Sequence, residues 1–406
     1  MSVASEAAKI KSHPGTWLEV FGVSLKLGLT SFGGPIAHLG YFREEYVARR
    51  RWLDEASYAD LVALCQFLPG PASSQVGIGI GLSRAGVAGA IAAWVGFTMP
   101  SAMALVLFAY GLEVFSVPLD AGWLHGLKIA AVAVVAQAVW GMARALAPDR
   151  ERATVAVAAA VLTLAIPSAI GQVGAIVLGG VAGFAIFRKL PAPGVVEFSI
   201  LLGRRTGAAL LILFFALLGG LPFVAAATQN HTVSLVDAFY RAGSLVFGGG
   251  HVVLPLLQAS VVPPDWVTND AFLAGYGAAQ AVPGPLFTFA AYLGAAMGPE
   301  PNGWLGGLIC LIAIFLPSFL LVMGVLPFWH ELRRRVWAQA VLRGVNAAVV
   351  GLLLAALYNP VWTSGITNTA DFALGIAAFL LLAIWGVPPW LVVILSALGG
   401  AIAAMA

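Results

Sequence analysis

Two short glycine and proline motifs, each present twice, are the residues of this chain best suited to hold a ligand. Phe-Gly-Gly occurs at 32–34 and 247–249, and Pro-Gly-Pro occurs at 69–71 and 283–285. Proline ends an incoming helix, while glycine lets the backbone approach a ligand closely. We expect new half-helices beyond the motifs, starting at about Ile36, Ala72, Val252 and Leu286. Free amides at such starts carry the positive end of the helix dipole and bind phosphates, sulfates and carboxylates, so the motifs predict an anion site.

A cation precedes each Phe-Gly-Gly motif. Lys26 and Arg241 occupy equivalent positions on the half-helices that lead into the motifs. Lys26 follows Trp17 by nine residues, and at 1.5 Å per residue this places it about 13 Å into a membrane, close to the midplane. One cation from each half would favour a doubly charged anion. The alternative is that both side chains snorkel to the membrane interface.

Uncharged polar side chains also flank the motifs. Those predicted to reach a ligand are Gln66, Ser73, Ser74, His251, Gln280 and Thr288. The hydroxyls would either cap an outgoing half-helix or touch the ligand, and the glutamines would either contact the ligand or join neighbouring helices. His38 and His251 follow their motifs at positions that are not equivalent. This difference favours packing or hydrogen bonding over proton transfer.

The motifs belong to an internal repeat. The segment SFGGPIAHLGYF at 31–42 corresponds to VFGGGHVVLPLL at 246–257, and residues 52–71 align without a gap with residues 266–285. The shared order of all these motifs indicates duplication. We therefore divide the chain into a cytoplasmic tail (1–15), a first repeat (16–187), a basic linker with a connecting span (188–230) and a second repeat (231–406).

The composition is that of a membrane protein. Apolar residues make up 60% of the 406 and charged residues only 10%, whereas an average soluble domain is about 25% charged. Apolar runs of roughly 20 residues match a bilayer core of about 30 Å, so the lipid bilayer is the expected surrounding. The net charge of +3 is spread over short loops, which argues against a nucleic-acid partner. Cys65 and Cys310 are isolated, and we expect no disulfide, metal or cofactor.

Loop charges predict opposite orientations for the two repeats. Arg49–Arg51 follow the first broken segment of the first repeat, whereas the equivalent loop of the second repeat, VVPPDW, contains no basic residue. The loop 113–122 contains no basic residue either, whereas its counterpart contains Arg333–Arg335. By the positive-inside rule the repeats are inverted, and the apolar run 206–227 supplies the odd span between them. The linker before that span carries Arg188, Lys189, Arg204 and Arg205.

The predicted fold is an all-α integral membrane protein of two inverted-topology repeats. About nine full spans are expected near 85–111, 121–147, 153–168, 169–187, 206–227, 303–329, 338–358, 370–386 and 388–405. Four further segments are broken by the motifs, at 17–47, 54–83, 235–262 and 268–298. Re-entrant hairpins are preferred over broken crossings because hairpins keep Arg49–Arg51 and Arg84 on one side of the membrane.

The doubled motif set resembles the chromate ion transporter family, in its long two-domain form. The resemblance runs from about Thr16 to the last spans. The positions that match the family's motifs are Phe32, Gly33, Gly34, Pro35, Gln66, Pro69, Gly70 and Pro71, and then Phe247, Gly248, Gly249, Gly250, His251, Gln280, Pro283, Gly284 and Pro285. Because Pro35 stands where the second repeat has Gly250, the two half-sites are not chemically identical.

The resemblance implies export of chromate, a tetrahedral dianion that mimics sulfate, across the bacterial inner membrane by alternating access. The membrane potential or an ion gradient would drive it, and no enzymatic activity is expected. Sulfate uptake or exchange and an anion channel are the alternatives, because sulfate has the same shape and charge. Small-residue faces such as GVAGAIAAW suit packing within one subunit or in a homodimer.

Overall fold

The computed structural model describes residues 15–115, 117–118, 121–187, 203–332 and 335–405, and every regular element in these ranges is helical. The helices are α1 Trp17–Thr30, α2 Gly34–Phe42, α3 Glu55–Phe67, α4 Ala72–Val114, α5 Gly122–Leu146, α6 Arg150–Ala165, α7 Ala169–Ile186, α8 Arg204–Thr228, α9 His231–Leu245, α10 Val253–Val261, α11 Asn269–Ala279, α12 Phe289–Ala296, α13 Gly303–Val325, α14 Trp329–Leu332, α15 Val336–Ala356, α16 Thr363–Gly365, α17 Thr369–Ala383 and α18 Pro389–Ala403. Short 3-10 or π-helical turns occupy Arg43–Arg49, Gly250–Val252, Leu286–Thr288, Leu326–Phe328 and Leu357–Trp362. The predicted tail up to residue 14 and the basic residues Arg188, Lys189, Arg333 and Arg334 lie outside the described ranges.

Six helical stretches of the described chain are long and apolar enough to cross a membrane. They are Ala72–Val114, Gly122–Leu146, Ala169–Ile186, Arg204–Thr228, Gly303–Leu332 and Val336–Gly365. The three other predicted spans correspond to α6, α17 and α18, which contain 16, 15 and 15 residues. Each of these is about 23 Å long, less than a bilayer core of about 30 Å. The prediction of an all-helical membrane protein is confirmed.

Each of the four segments predicted to be broken contains two helices joined by a turn. The Phe-Gly-Gly turns separate α1 from α2 and α9 from α10, and the Pro-Gly-Pro turns separate α3 from α4 and α11 from α12. The helix α4 then runs on past its predicted end, but it bends at Ala85 and Gly86, where the backbone leaves the helical conformation.

The helices that lead into the turns start at matching caps. Thr16 and Asn230 cap α1 and α9, and Asp54 and Thr268 cap α3 and α11. Each side chain accepts a hydrogen bond from the backbone amide three residues further on. Caps of this kind stabilise a helix by about 1 kcal/mol. They fix where each helix starts, and hence how far along it the turn lies.

The two predicted repeats interlock. α5 of the first repeat packs along α17 and α18 of the second, and α15 of the second packs along α6 and α7 of the first. The contacts are close at glycine: a β-carbon added to Gly126 would overlap the carbonyl oxygen of Ser396, and one added to Gly344 would overlap that of Gly179. Helices in lipid associate through such small residues, because apolar burial drives little association there.

Within each repeat, the helix that enters the Phe-Gly-Gly turn is supported by a long neighbour. α1 packs along α4, and α9 packs along α13. The helix α8 joins the repeats in sequence, packs against α9 and α13, and buries few of its own side chains. The turns are therefore carried on packed helices at both of their ends.

Candidate functional site

The four turns meet in two reciprocal pairs inside the molecule. The amide of Gly284, in the second Pro-Gly-Pro turn, donates a 2.9 Å hydrogen bond to the carbonyl oxygen of Ser31, just before the first Phe-Gly-Gly turn. The amide of Gly70, in the first Pro-Gly-Pro turn, donates a 2.7 Å hydrogen bond to the carbonyl oxygen of Val246, just before the second Phe-Gly-Gly turn. Each Pro-Gly-Pro turn is thus bonded to the Phe-Gly-Gly turn of the other repeat. The bonds also engage carbonyls at the ends of α1 and α9, where a helix leaves such groups without intrahelical partners.

Only glycine fits the middle of the two Pro-Gly-Pro turns. Gly70 has a φ of +122° and Gly284 a φ of +89°, a region that residues with side chains rarely adopt. A β-carbon on Gly70 would lie 2.9 Å from Ser318 Oγ, and one on Gly284 would lie 2.9 Å from Ser101 Oγ. The two serines follow equivalent prolines in the sequence, so the two turns have matching neighbours.

A cavity of about 70 Å³ lies beside one of these pairs, that of Gly284 and Ser31. Its lining residues come from both repeats and are Gly33, Gly34, Val134, Gln137, His251, Ala279, Gln280, Val282, Gly284, Leu286 and Pro389. The lining joins the first Phe-Gly-Gly turn to the second Pro-Gly-Pro turn and includes the start of the helical turn at Leu286. None of these described lining residues is charged.

His251 and Gln280, both predicted from the sequence, give the cavity two hydrogen-bonding side chains. Nδ1 of His251 lies 2.9 Å from the hydroxyl of the fully buried Tyr276, and this bond holds the imidazole ring in place. Nε2 of Gln280 is buried and makes no hydrogen bond of standard geometry within the described chain, although the Gln280 amide lies close to the Tyr276 hydroxyl. An unpaired buried donor is costly, so a ligand that accepts from it would be bound more tightly.

Gln137 is a third polar side chain of the cavity and is absent from the sequence prediction. Its Nε2 donates a 3.0 Å hydrogen bond to the carbonyl oxygen of Leu382 on α17. Only the NH₂ end of an amide donates to a carbonyl, so this bond fixes which way the side chain faces. The sequence carries one signal for it: Gln137 is a lone amide within the apolar stretch of α5, and polar residues inside membrane helices tend to be functional.

The three hydroxyls predicted to flank the ligand are buried but do not line the cavity. Ser73 Oγ lies 3.4 Å from Nδ1 of His38. Thr288 Oγ1 donates to the carbonyl oxygen of Pro285 at 2.8 Å. Ser74 Oγ is buried without a hydrogen-bond partner. No described side chain caps the outgoing helical turns that follow the two Pro-Gly-Pro motifs, so neither the helix-capping nor the ligand-contact interpretation gains support from these hydroxyls.

The two predicted cations are paired with carboxylates outside the cavity lining. Lys26 Nζ donates to Glu45 at 2.8 Å, and Arg49 and Arg50 bind the same carboxylate. The Lys26 side chain is 48% exposed and belongs to the charged cluster at the Arg49 loop. Its partner Glu45 lies on the π-helical turn Arg43–Arg49. Arg241 pairs with Asp237, one helical turn earlier.

The remaining motif residues shape the turns themselves. Pro71 and Pro285 directly precede the outgoing helical turns, and Pro35 lies in the first turn of α2. Gln66, near the end of α3, is exposed and does not line the cavity. Phe32 stacks at a tilt on Trp390, with ring centroids 6.0 Å apart. The other motif residues, outside the cavity lining, are Pro69, Phe247, Gly248, Gly249, Gly250 and Pro283.

Broken helices whose turns enclose a polar cavity, within an apolar helical bundle, define a membrane protein of the transporter class. Residues 18–184 and residues 233–401 each match the family model of the chromate transporter. Together these matches cover most of the chain, and the chain belongs to the chromate transporter family. It is a multi-pass bacterial membrane protein.

Named relatives match this chain over different lengths. The chromate transport protein of Pseudomonas aeruginosa is 28% identical over 354 residues, which are 84% of this chain and 80% of the relative. The probable chromate transport protein of Synechococcus elongatus is 25% identical over 388 residues, 93% of each chain. The uncharacterized transporter YwrA of Bacillus subtilis is 33% identical over 136 residues, 33% of this chain and 72% of the relative. No solved structure is significantly similar to this chain.

Proposed function

We propose that this protein exports chromate from the cytoplasm by alternating access. The names of the Pseudomonas and Synechococcus relatives support chromate as the substrate. The observation that carries the mechanism is the reciprocal bonding of the turns, in which Gly284 bonds to Ser31 and Gly70 bonds to Val246. An anion beside such a pair touches both repeats at once. Its binding therefore depends on how one repeat is placed against the other, which alternating access requires.

The proposed architecture is a pair of inverted repeats, residues 16–187 and 231–406, joined by the linker and span 188–230. The double match to one family model supports the duplication, and the opposite loop charges support the inversion. In this scheme α8 is the odd span that turns the second repeat over. The four broken segments are re-entrant hairpins, and the nine other segments cross the membrane, with α6, α17 and α18 as short crossings.

The anion is held by neutral groups of both repeats. Gly34 and Leu286, which begin helical turns, line the cavity, and anions bind at the amides of such starts. Nε2 of Gln280 adds a donor, and His251 adds a ring nitrogen opposite the one that faces Tyr276. Lys26 and Arg241 are already paired with carboxylates and make no direct contact in this scheme.

The membrane potential is the proposed driving force. An inside-negative potential favours outward movement of an anion by about 2.3 kcal/mol per charge per 100 mV. Export along this gradient needs no nucleotide, and the sequence contains no phosphate-binding loop of the Walker type. Sulfate uptake or exchange and channel conduction are the competing functions.

Flux of radiolabelled chromate and sulfate into proteoliposomes, at imposed potentials and pH gradients, tests the proposal. We expect chromate flux that saturates with concentration, follows the potential and is absent from protein-free liposomes. Sulfate flux without chromate flux would show that sulfate, and not chromate, is the substrate. Unsaturable flux with large single-channel currents would show that the protein is a channel and not a transporter.

A further inference from the structure

The described cavity lining contains no cationic side chain that would offset the second charge of a dianion. The described lining contains no lysine and no arginine. Its histidine, His251, bonds only to the neutral hydroxyl of Tyr276 among the described groups. Lys26 and Arg241, the cations predicted for this purpose, are paired with Glu45 and Asp237. This inference rests on the function proposed above. The lack of cationic side chains affects which protonation state of the oxyanion the cavity binds.

The cost of placing an ion in a low-dielectric site grows with the square of its charge. A dianion therefore loses about four times the solvation energy that a monoanion of the same size loses on entering such a site. Fixed cations could offset this difference, and the described lining contains none. Neutral donors alone thus favour a tetrahedral oxyanion with a single negative charge.

The hydrogen-bonding groups of the cavity match a singly protonated oxyanion. Nε2 of Gln280 and the first amides of the helical turns at Gly34 and Leu286 are donors. Gln137 differs from these, because one N–H of its amide donates to Leu382 and its Oε1 accepts no hydrogen bond within the described chain. A carbonyl oxygen repels a bare oxyanion but accepts a hydrogen bond from an O–H group.

We propose that the substrate is bound as its hydrogen form, a monoanion whose one hydroxyl donates to Oε1 of Gln137. Its three other oxygens accept from Gln280 and from the helix-start amides. Chromate takes up one proton near neutral pH, whereas sulfate does so only in strong acid. The cavity would then distinguish chromate from sulfate by protonation, although the two dianions share one shape.

The charge carried per chromate gives the first test. In proteoliposomes clamped to equal pH on both sides, a potential of about 59 mV accumulates a monoanion tenfold and a dianion hundredfold at equilibrium. We expect a tenfold accumulation of chromate. We also expect that the initial rate, at chromate concentrations far below saturation, falls about tenfold per pH unit once chromate is mostly deprotonated. Hundredfold accumulation with a flat rate would overturn the proposal.

Variants of Gln137 give the second test. They show whether this residue accepts the hydrogen bond from the substrate hydroxyl. Gln137→Lys replaces the acceptor by a cation, so we expect sulfate to become an inhibitor of chromate flux and the pH dependence to weaken to less than threefold per unit. Gln137→Met, which removes the acceptor without adding charge, should raise the KM for chromate about tenfold and weaken the same pH dependence. Its neutral side chain keeps the test usable if the lysine variant does not fold.

Gln172→Met is the matched control. Gln172 also donates from Nε2 to a backbone carbonyl, that of Pro255 at 3.0 Å, but does not line the cavity. We expect it to keep the wild-type pH profile and the discrimination against sulfate. If both Gln137 variants did the same, Gln137 would not be the acceptor. Absence of all chromate flux would instead contradict the proposed function, so the two failures are distinguishable.

Discussion

The two Phe-Gly-Gly turns have similar backbones at their first glycine and different surroundings. Gly33 in the first turn and Gly248 in the second, which are equivalent in the repeat alignment, have φ values of +97° and +73°. A β-carbon added to Gly33 would meet only the β-carbon of Ala37, at 3.1 Å, and Gly33 borders the cavity. A β-carbon added to Gly248 would lie 2.9 Å from Leu146 and 3.4 Å from Met142, both at the end of α5. The motif is therefore shared, whereas the packing around it differs.

The proposed alternating-access mechanism needs such an inequality in any one conformation. If both turns had identical surroundings, the site would be equally open to both sides of the membrane. The Pro-Gly-Pro turns, in contrast, have matching neighbours in Ser101 and Ser318. The difference between the repeats is thus concentrated at the Phe-Gly-Gly turns and at the side chains that fill the space beside them.

The largest loss of flux should follow from Gly284→Ala, which alters the Pro-Gly-Pro turn that both repeats contain. The alanine would adopt an unfavourable positive φ, and its β-carbon would lie 3.1 Å from the backbone oxygen of Phe97. Relief requires the turn to move away from Ser31, so we expect at least a hundredfold loss of chromate flux, or about 3 kcal/mol. Gly298→Ala is the control, because its β-carbon would meet no atom within 4 Å. Flux within threefold of the wild type in Gly284→Ala would contradict the role of this turn.

Next in size is the effect of Asp270→Ala, which tests a charge present in one repeat only. Lys128 is buried and pairs across the repeats with the half-exposed Asp270 at 2.7 Å, whereas the equivalent position of the second repeat is Asn346. Removing Asp270 leaves a buried ammonium unpaired, and we expect a loss of about 3 kcal/mol of stability. Lys128→Asn leaves only a solvated carboxylate and should cost about 1 kcal/mol or less. Unfolding of the purified protein in detergent measures both, and the reverse order would refute this account.

A smaller effect should separate Gly248→Ala from Gly33→Ala, the substitution at the equivalent glycine of the first turn. Both substitutions force alanine into the left-handed region, at a cost of about 1 kcal/mol. Only Gly248→Ala also crowds Leu146 and Met142, and overpacking adds about 1–2 kcal/mol. We expect Leu146→Ala to remove part of that extra cost in the double variant when unfolding is measured. Equal costs for the two glycines would mean that their surroundings are equivalent after all.

The smallest effect should be that of Lys26→Met. Lys26 is half-exposed and pairs with Glu45, which keeps Arg49 and Arg50 as partners. Because the buried Glu45 carboxylate keeps two cationic partners, we expect chromate flux within threefold of the wild type. Arg43→Met, which breaks the exposed pair with Glu55, is the matched control. A tenfold loss in Lys26→Met alone would place this cation in the transport path.

Local features of the chain could be predicted from the sequence. The helix starts at Ala72 and Leu286 coincide with the predicted ones, because Pro-Gly-Pro both ends one helix and precedes the next. The helix α2 begins at Gly34, two residues before the predicted Ile36, since Pro35 fits within a first turn. These features depend on a few neighbouring residues.

Contacts between distant residues could not be predicted in the same way. Counting residues from Trp17 gives the depth of Lys26 along one straight helix, but the π-helical turn that brings Glu45 to it is a property of the folded chain. The cavity role of Gln137 depends likewise on Leu382, which comes from the other repeat. Periodicity and spacing within one segment cannot predict this contact between two segments.

The interlocking of α5 with α18 also sets an order of assembly during synthesis. Most of the second repeat lies between Leu146, where α5 ends, and Pro389, where α18 begins. At about 5–20 residues per second, translation of that stretch takes on the order of tens of seconds. During this interval the glycine face of α5 at Gly126 has no Ser396 backbone to pack against. The bundle therefore closes only after its last helix has entered the membrane, and a ribosome that stalls before α18 leaves the first repeat unfinished as well as the second.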